Sequence, residues 1–255
     1  MKVPRKGTCT AAFPSAKMND KVKPALLLAA LFVMPTAGRA AEAVEQSAFA
    51  ANLEVSDIPT ASTLYARMFH LNFRMFPAGG VLAKAAASFN NSLMLGVSFK
   101  ANNVIGNGRV TFDDQPVQAQ VRLRIINNQR NGLSAAVGYD GMGYGVTREH
   151  GLYGVLGKDL DAAGFFLRAH AGLGVVKFRD VDAHRDVNAF AGISGALSEE
   201  FQLGIEYDDF LYEDGSANAS VGYAWDVGLR IELDFKSLFR GTRNHYRVLK
   251  ILYTF

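Results

Sequence analysis

Apolar residues recur at every second position through most of the chain from residue 63 onward. In Val117–Ile125 the apolar set is Val117, Ala119, Val121, Leu123 and Ile125, with Gln118, Gln120, Arg122 and Arg124 between them. Phe201–Tyr207 repeats the pattern: Phe201, Leu203, Ile205 and Tyr207 alternate with Gln202, Gly204, Glu206 and Asp208. The longest stretch starts near Ala217. Ala219, Val221, Tyr223, Trp225, Val227, Leu229 and Ile231 share one phase; Asn218, Ser220, Gly222, Ala224, Asp226, Gly228, Arg230 and Glu232 share the other. Side chains alternate across a strand, so each stretch predicts a strand with one apolar and one polar or small face. Weaker alternation marks Leu64–Met75, Ala87–Phe99, Leu133–Tyr139, Gly151–Lys158, Phe165–Val176 and Val187–Ala196, and His245–Phe255 brings the segments to ten. Turn chemistry separates them at Asn131-Gly132, Asp161–Gly164, Ser198–Glu200 and Asp214-Gly215. Apart from one turn at Lys236–Arg240, no helical stripe of useful length occurs, and the pattern predicts an all-β chain.

The polar faces indicate where such a sheet lives. A soluble barrel or sandwich turns its apolar face inward and covers the outside with abundant charge. Here the second face is mostly Gly, Ala, Ser, Asn and Gln with isolated ions, which suits a crowded interior. Tilted strands of ~9–11 residues cross a bilayer, and Tyr139, Tyr153, Tyr207, Tyr223, Trp225 and Tyr253 lie on the apolar phase, mostly towards strand ends, where an aromatic girdle belongs. Lipid tolerates no unpaired backbone, so the strands must close. The expected fold is an antiparallel transmembrane β-barrel of about ten strands, within a range of eight to twelve. One feature resists this count. The short connections Asn127–Gly132, Lys158–Ala163 and Leu197–Glu200 all follow odd-numbered strands. If Phe255 ends at the periplasmic side, short loops would then lie outside the cell, where loops are usually longer.

The N-terminus changes the charge picture. Lys17, Lys21 and Lys23 precede the apolar run Ala25–Met34, followed by Pro35, Ala37, Gly38 and Ala40. This is the layout of an export signal, too short to span a bilayer, with cleavage expected after Ala40 or Ala43. The long stretch before Met18 makes Met18 an alternative start to Met1. The expected organisation is a signal peptide over 1–40, a short N-terminal periplasmic arm over 41–62 and an outer-membrane β-barrel over 63–255. Of the 27 basic and 24 acidic residues, seven basic and one acidic fall in 1–40, so the exported part carries a formal charge of −3 rather than +3. The basic balance of the whole chain is therefore no sign of nucleic-acid binding. Cys9 leaves with the signal, so no thiol remains for catalysis, disulfides or metal.

Leu249, Ile251, Tyr253 and Phe255 alternate up to a terminal aromatic carboxylate. This resembles the C-terminal signature of bacterial outer-membrane barrel proteins, which the barrel-assembly machinery reads. A looser resemblance runs through Asp57-Ile58-Pro59-Thr60-Ala61, Asn72-Phe73-Arg74-Met75-Phe76 with Gly79-Gly80, Leu95-Gly96-Val97-Ser98 and Asn103-Val104-Ile105-Gly106. It continues in Gly138-Tyr139-Asp140, Gly143-Tyr144-Gly145 and Glu206-Tyr207-Asp208-Asp209. These residues are similar to those of the YjbH-like outer-membrane proteins, and the resemblance implies a role in exopolysaccharide production and secretion. It implies no catalytic residues.

Candidate chemistry is confined to the polar faces. Arg122, Arg124, Arg168, His170, Glu206, Asp226, Arg230 and Glu232 are expected to form a charge network in the lumen, with Arg122, Arg124 and Arg168 paired to Glu206, Asp226 and Glu232, since buried ions need partners. His170 with a carboxylate and Ser194 or Ser220 has the composition of a hydrolytic triad. His70, His150, His184 and His245 lack ligand spacing, Gly141-x-Gly143-x-Gly145 departs from the dinucleotide fingerprint, and the acids at Asp180–Asp182 and Glu213-Asp214 lack the ligand series of a calcium loop. No metal, cofactor or enzymatic activity is therefore expected. The leading expectation is a non-enzymatic outer-membrane barrel in contact with the lipid bilayer and the assembly machinery, linked through the resemblance to polysaccharide or envelope biogenesis. A small channel or porin and a membrane-embedded hydrolase are the alternatives. Open conduction is the less expected, because water-filled porins use about 16–18 strands.

Overall fold

A computed structural model describes residues 52–141, 151–162, 165–175, 187–208, 216–225, 228–238 and 246–255. Among them, twelve strands run in order: β1 (Phe69–Phe76), β2 (Gly80–Ser88), β3 (Leu93–Asn102), β4 (Thr111–Asn128), β5 (Leu133–Asp140), β6 (Gly151–Ala162), β7 (Phe165–Val175), β8 (Val187–Ala196), β9 (Phe201–Asp208), β10 (Ser216–Ala224), β11 (Leu229–Lys236) and β12 (Tyr246–Thr254). Every strand pairs antiparallel with its sequence neighbours, and β1 pairs with β12, so the sheet is a closed barrel. At the seam the Phe69 amide donates to the Phe255 carbonyl at 2.8 Å and the Phe255 amide to the Phe69 carbonyl at 3.0 Å. The Phe69 and Phe255 rings stack beside it, 5.6 Å apart.

The apolar phase faces out. Ile205 is 65% exposed, Leu203 41% and Val121 38%, while Gln202, Gln120, Arg122 and Glu206 between them are buried. Val227 lies outside the described residues. Phe201, Tyr223 and Trp225 form an edge-to-face cluster with centroids 5.0 and 4.6 Å apart, near the same end of the barrel as Tyr253, Phe255 and Phe69. That is the placement of an interfacial aromatic girdle. Tyr153 departs from expectation. It points inward, is 4% exposed, and shares a buried cluster with Val155, Ala136 and Phe190. In β6 both phases are apolar, so alternation alone does not tell the lumen face from the outer face.

Twelve strands lie at the upper end of the expected eight to twelve, two more than the ten alternating segments, for two physical reasons. The stretch from Ala217 to Glu232 is two strands, β10 and β11, and the chain reverses between them across residues 225–228. Ala224 pairs with Arg230, and the odd number of residues between them leaves the period-two phase unchanged, so the apolar series passes through the hairpin without a break. There Trp225 donates to Leu229 and Gly228 adopts φ +79°. The other missed strand, β2, reads GVLAKAAAS, in which alanine occupies both faces. A tight connection at Pro77–Gly79 joins it to β1, with Ala78 and Gly79 at φ 63° and 69°.

The corrected count also removes the loop anomaly. Residues 129–132, 163–164 and 197–200 now follow even-numbered strands, and so do 89–92 and 225–228. All five connections leave from the end where Phe69 meets Phe255. The opposite end carries connections spanning 77–79, 103–110, 141–150, 176–186, 209–215 and 237–245. Short turns at the Phe69–Phe255 end and mostly longer connections opposite match the asymmetry of outer-membrane barrels.

Candidate functional site

Residues 52–62, the described part of the stretch expected as a periplasmic arm, run inside the barrel instead. From Asn52, held by Arg230 on β11, the described chain rises along the lumen to Ser56-Asp57 and folds back as a hairpin. The Thr60 amide donates to the Leu53 carbonyl at 3.0 Å, the Val55 amide to the Ile58 carbonyl at 3.1 Å, and Glu54 bridges Pro59. Ser and Asp at the tip are turn formers, and Pro59 removes a donor that would otherwise need a partner. Val55, Ile58, Ala61 and Leu64 are essentially fully buried, as are Ser56, Asp57 and Thr60.

The hairpin has two unlike faces, and the wall matches both. Val55, Ile58 and Ala61 pack against Ala136, Tyr153, Val155 and Phe190 on β5, β6 and β8. Leu53 and Leu64 pack with Ala86 and Met94 on β2 and β3. Full burial of each such aliphatic side chain is worth about 1.5–3 kcal/mol. Across the lumen, β2, β1, β12 and β11 are consecutive around the barrel and present Lys84, Arg74, Lys250 and Lys236. Glu54 pairs with Arg74 and, at 2.8 Å, with Lys84. Asp57 pairs with Arg74 at 2.7 Å and Lys236 at 2.7 Å. Wall acids complete the lattice: Lys84 meets Asp140 at 3.1 Å, Lys236 meets Asp234 at 3.1 Å, and Lys250 meets Glu232 and Asp234, both at 2.7 Å. Glu206 accepts from the amides of Ser56 (2.9 Å), Asp57 (2.8 Å) and Ile58 (3.0 Å) and from Asn218 Nδ2 (2.8 Å). A cavity of about 20 Å³ remains beside Glu54, His70, Lys84, Gln120 and Asp140, room for roughly one water.

The predicted network residues that the structure describes are therefore mostly interior, and several of them hold the hairpin as well as one another. Arg122 donates to the Tyr153 hydroxyl and to the Leu53 and Ser62 carbonyls, each at 2.9 Å. Arg124 reaches the Asn91 carbonyl at the turn end, at 2.5 Å. Arg168 pairs with Asp159 at 2.5 Å and donates to the Ser62 hydroxyl at 3.1 Å. Arg230 holds Gln202 at 2.7 Å and Asn52 at 3.2 Å, with Glu232 at 3.5 Å. Asp226 lies outside the described residues, as do residues 1–40, Gly143, Gly145 and both acidic patches. His170 is fully buried with neither ring nitrogen hydrogen-bonded, and Ser220 donates to the Val55 carbonyl, so the nucleophile–base contact of a hydrolase is not assembled there. Sequence reasoning missed Glu54, Asp57, Arg74, Lys84, Asp140, Asp234, Lys236 and Lys250. The wall members among them stand on the polar phase of their strands, which was the available signal. Glu54 and Asp57 carry no periodic signal.

No family model matches the chain, and neither does any curated protein. Among solved structures it is similar to a KdgM porin, with a TM-score of 0.48 and 12% identity over 74% of this chain and 99% of that one. A KdgM porin in complex with disordered oligogalacturonate matches with a TM-score of 0.41 and 10% identity, over 74% of this chain and 99% of that one. OmpF of Salmonella typhi, in complex with daunomycin, matches with a TM-score of 0.33 and 9% identity, over 74% of this chain and 97% of that one. These are likenesses of fold.

Small residues on the wall make room for the hairpin. A Cβ at Gly192 would lie 2.7 Å from Ile58 Cδ1, and one at Gly204 would lie 2.9 Å from Val55 Cγ1. Gly192→Leu is expected to crowd the hairpin by about 1–3 kcal/mol and to speed limited proteolysis of residues 52–62 in the folded protein about tenfold. Unchanged cleavage would show that the hairpin does not rest on Gly192.

Proposed function

We propose that the chain is an outer-membrane channel of porin type whose lumen is closed by its own N-terminal hairpin. The observation that carries this reading is the composition of the interior. Packed side chains suffice to fill a barrel of about eight strands, whereas this wider one encloses a separate segment and surrounds it with ions. With the hairpin seated, the path is blocked. With the hairpin displaced, Arg74, Lys84, Glu206, Lys236 and Lys250 would line a polar conduit through a barrel whose outside suits hydrocarbon. The bilayer is then the surrounding partner. The outward series Leu249, Ile251, Tyr253 and Phe255, placed at the seam, is the segment we assign to recognition by the assembly machinery.

A second reading, service to exopolysaccharide export, is favoured by where the YjbH-like residues fall. Asp57–Ala61 belong to the hairpin, while Arg74, Asp140 and Glu206 belong to its lumen surroundings. Cell fractionation with heat-modifiable gel mobility and planar-bilayer recording tests the proposal. An outer-membrane product with a folded-form shift and rare, brief openings is expected. A soluble periplasmic product would refute it.

A further inference from the structure

The wall reads main chain as well as side chain. Glu206 on β9 accepts from three successive amides, those of Ser56, Asp57 and Ile58. Arg122 on β4 donates to the Leu53 and Ser62 carbonyls. Lys250 on β12 donates to the Ser56 carbonyl at 2.5 Å, and Ser220 on β10 to the Val55 carbonyl at 3.3 Å. All four wall side chains are buried. Groups that bind amides and carbonyls recognise a peptide whatever its sequence, and the subsites around them then select it. Arg74 with Lys84, and Arg74 with Lys236, take acidic side chains three residues apart. The opposite patch takes the aliphatic residues Val55 and Ile58.

The occupant is also separable from the barrel. The hydrogen-bonded ring of strands closes without it, and its only β-bridge is internal, between Glu54 and Pro59. Asn52 is held by Arg230, near the start of β11, and Thr63 by the 89–92 turn, so both ends of the hairpin face the end of the barrel where Phe69 meets Phe255. It can leave by that end without breaking a strand pair.

We propose that the barrel interior is a binding site for acidic peptides, occupied in this structure by the chain's own hairpin. The site takes an extended or hairpin peptide with two carboxylates three residues apart, each followed by an aliphatic residue, and residues 52–62 act as a tethered stand-in. Passage of such a peptide rests on the channel reading; binding does not.

The test uses a fluorescent peptide with the sequence of residues 52–62 and the full-length protein in detergent, read by anisotropy. In the E54Q/D57N chain the tethered hairpin loses its ionic anchors. This chain is expected to bind the free peptide saturably and at least tenfold more tightly than the wild-type chain. A peptide carrying Gln and Asn at the two acidic positions is expected to bind at least tenfold more weakly, and Arg74→Ala in the same chain to abolish binding. If E54Q/D57N does not give the folded gel form, Ile58→Ala, which loosens the hairpin without touching a charge, replaces it with the same expected outcomes. Non-saturable binding to a folded variant, equal affinity for the neutral peptide, or binding of an acidic polysaccharide but no peptide would overturn the proposal. No ion flow enters this readout. Peptide binding without conductance would sink only the channel, and conductance without peptide binding only the peptide site.

Discussion

Replacing Glu54 and Asp57 together by Gln and Asn is expected to convert a barrel with rare, brief openings into one that carries steady current in a planar bilayer. The two carboxylates are the hairpin's ionic anchors, and Arg74 and Lys236, which receive them, are almost fully buried. Removing one partner of a buried pair typically costs about 3–5 kcal/mol, because the remaining charge stays out of water. Even about 3 kcal/mol lowers the equilibrium constant for seating the hairpin by more than a hundredfold. The cations can recover solvent only if the hairpin moves aside and water enters the lumen. The aliphatic contacts of Val55 and Ile58 and the main-chain hydrogen bonds to Glu206, Arg122, Lys250 and Ser220 oppose release, so the ionic loss must exceed what remains of them. Planar-bilayer recording of variant and wild type at matched protein load checks the outcome, with heat-modifiable mobility confirming that both barrels are folded. A folded E54Q/D57N barrel as silent as the wild type would show that the hairpin is a permanent part of the core.

Ile205→Lys has the second largest expected effect. Ile205 stands on the outer face of β9 and is 65% exposed. On the surface of a soluble protein such a change stays within about ±0.5 kcal/mol. At the bilayer midplane a lysine on the lipid face of a barrel costs about 2–4 kcal/mol. The variant is therefore expected to refold poorly into lipid vesicles, with a clear fall in the folded gel form and a lower urea midpoint. Gln202→Lys, on the opposite phase of the same strand, adds the same charge next to Arg230 in the lumen and is expected to act on hairpin seating instead. Equal tolerance of lysine at both positions would contradict the assigned faces.

The outer face of the barrel was legible in the sequence because outward positions are apolar at every second residue, and β4, β9 and β12 follow this closely. The strand number was harder to read. The 225–228 reversal preserves the phase, so Ala219 through Ile231 looks like one strand, and the alanines of β2 conceal its faces. Tyr153 and Val155 misled for a related reason: the lumen is apolar just where it meets Val55 and Ile58, so β6 has two oily faces. The hairpin itself was not legible. Its contacts join residues far apart in the chain, such as Ser56 to Glu206 and Ser56 to Asp234, and no local period records them. The lumen cations could be located by phase, but their partners could not, because pairing depends on which strands become neighbours when β1 meets β12.

Site-directed spin labelling in lipid vesicles tests the membrane assignment most directly. Labels placed singly at Val121, Leu203 and Ile205, in a Cys9→Ser background, report whether each outward position collides with oxygen dissolved in hydrocarbon or with a water-soluble nickel chelate. High oxygen and low nickel accessibility at all three sites is the expected result. High nickel accessibility at Leu203 and Ile205 would place the outer wall in water and contradict the barrel's seat in the membrane.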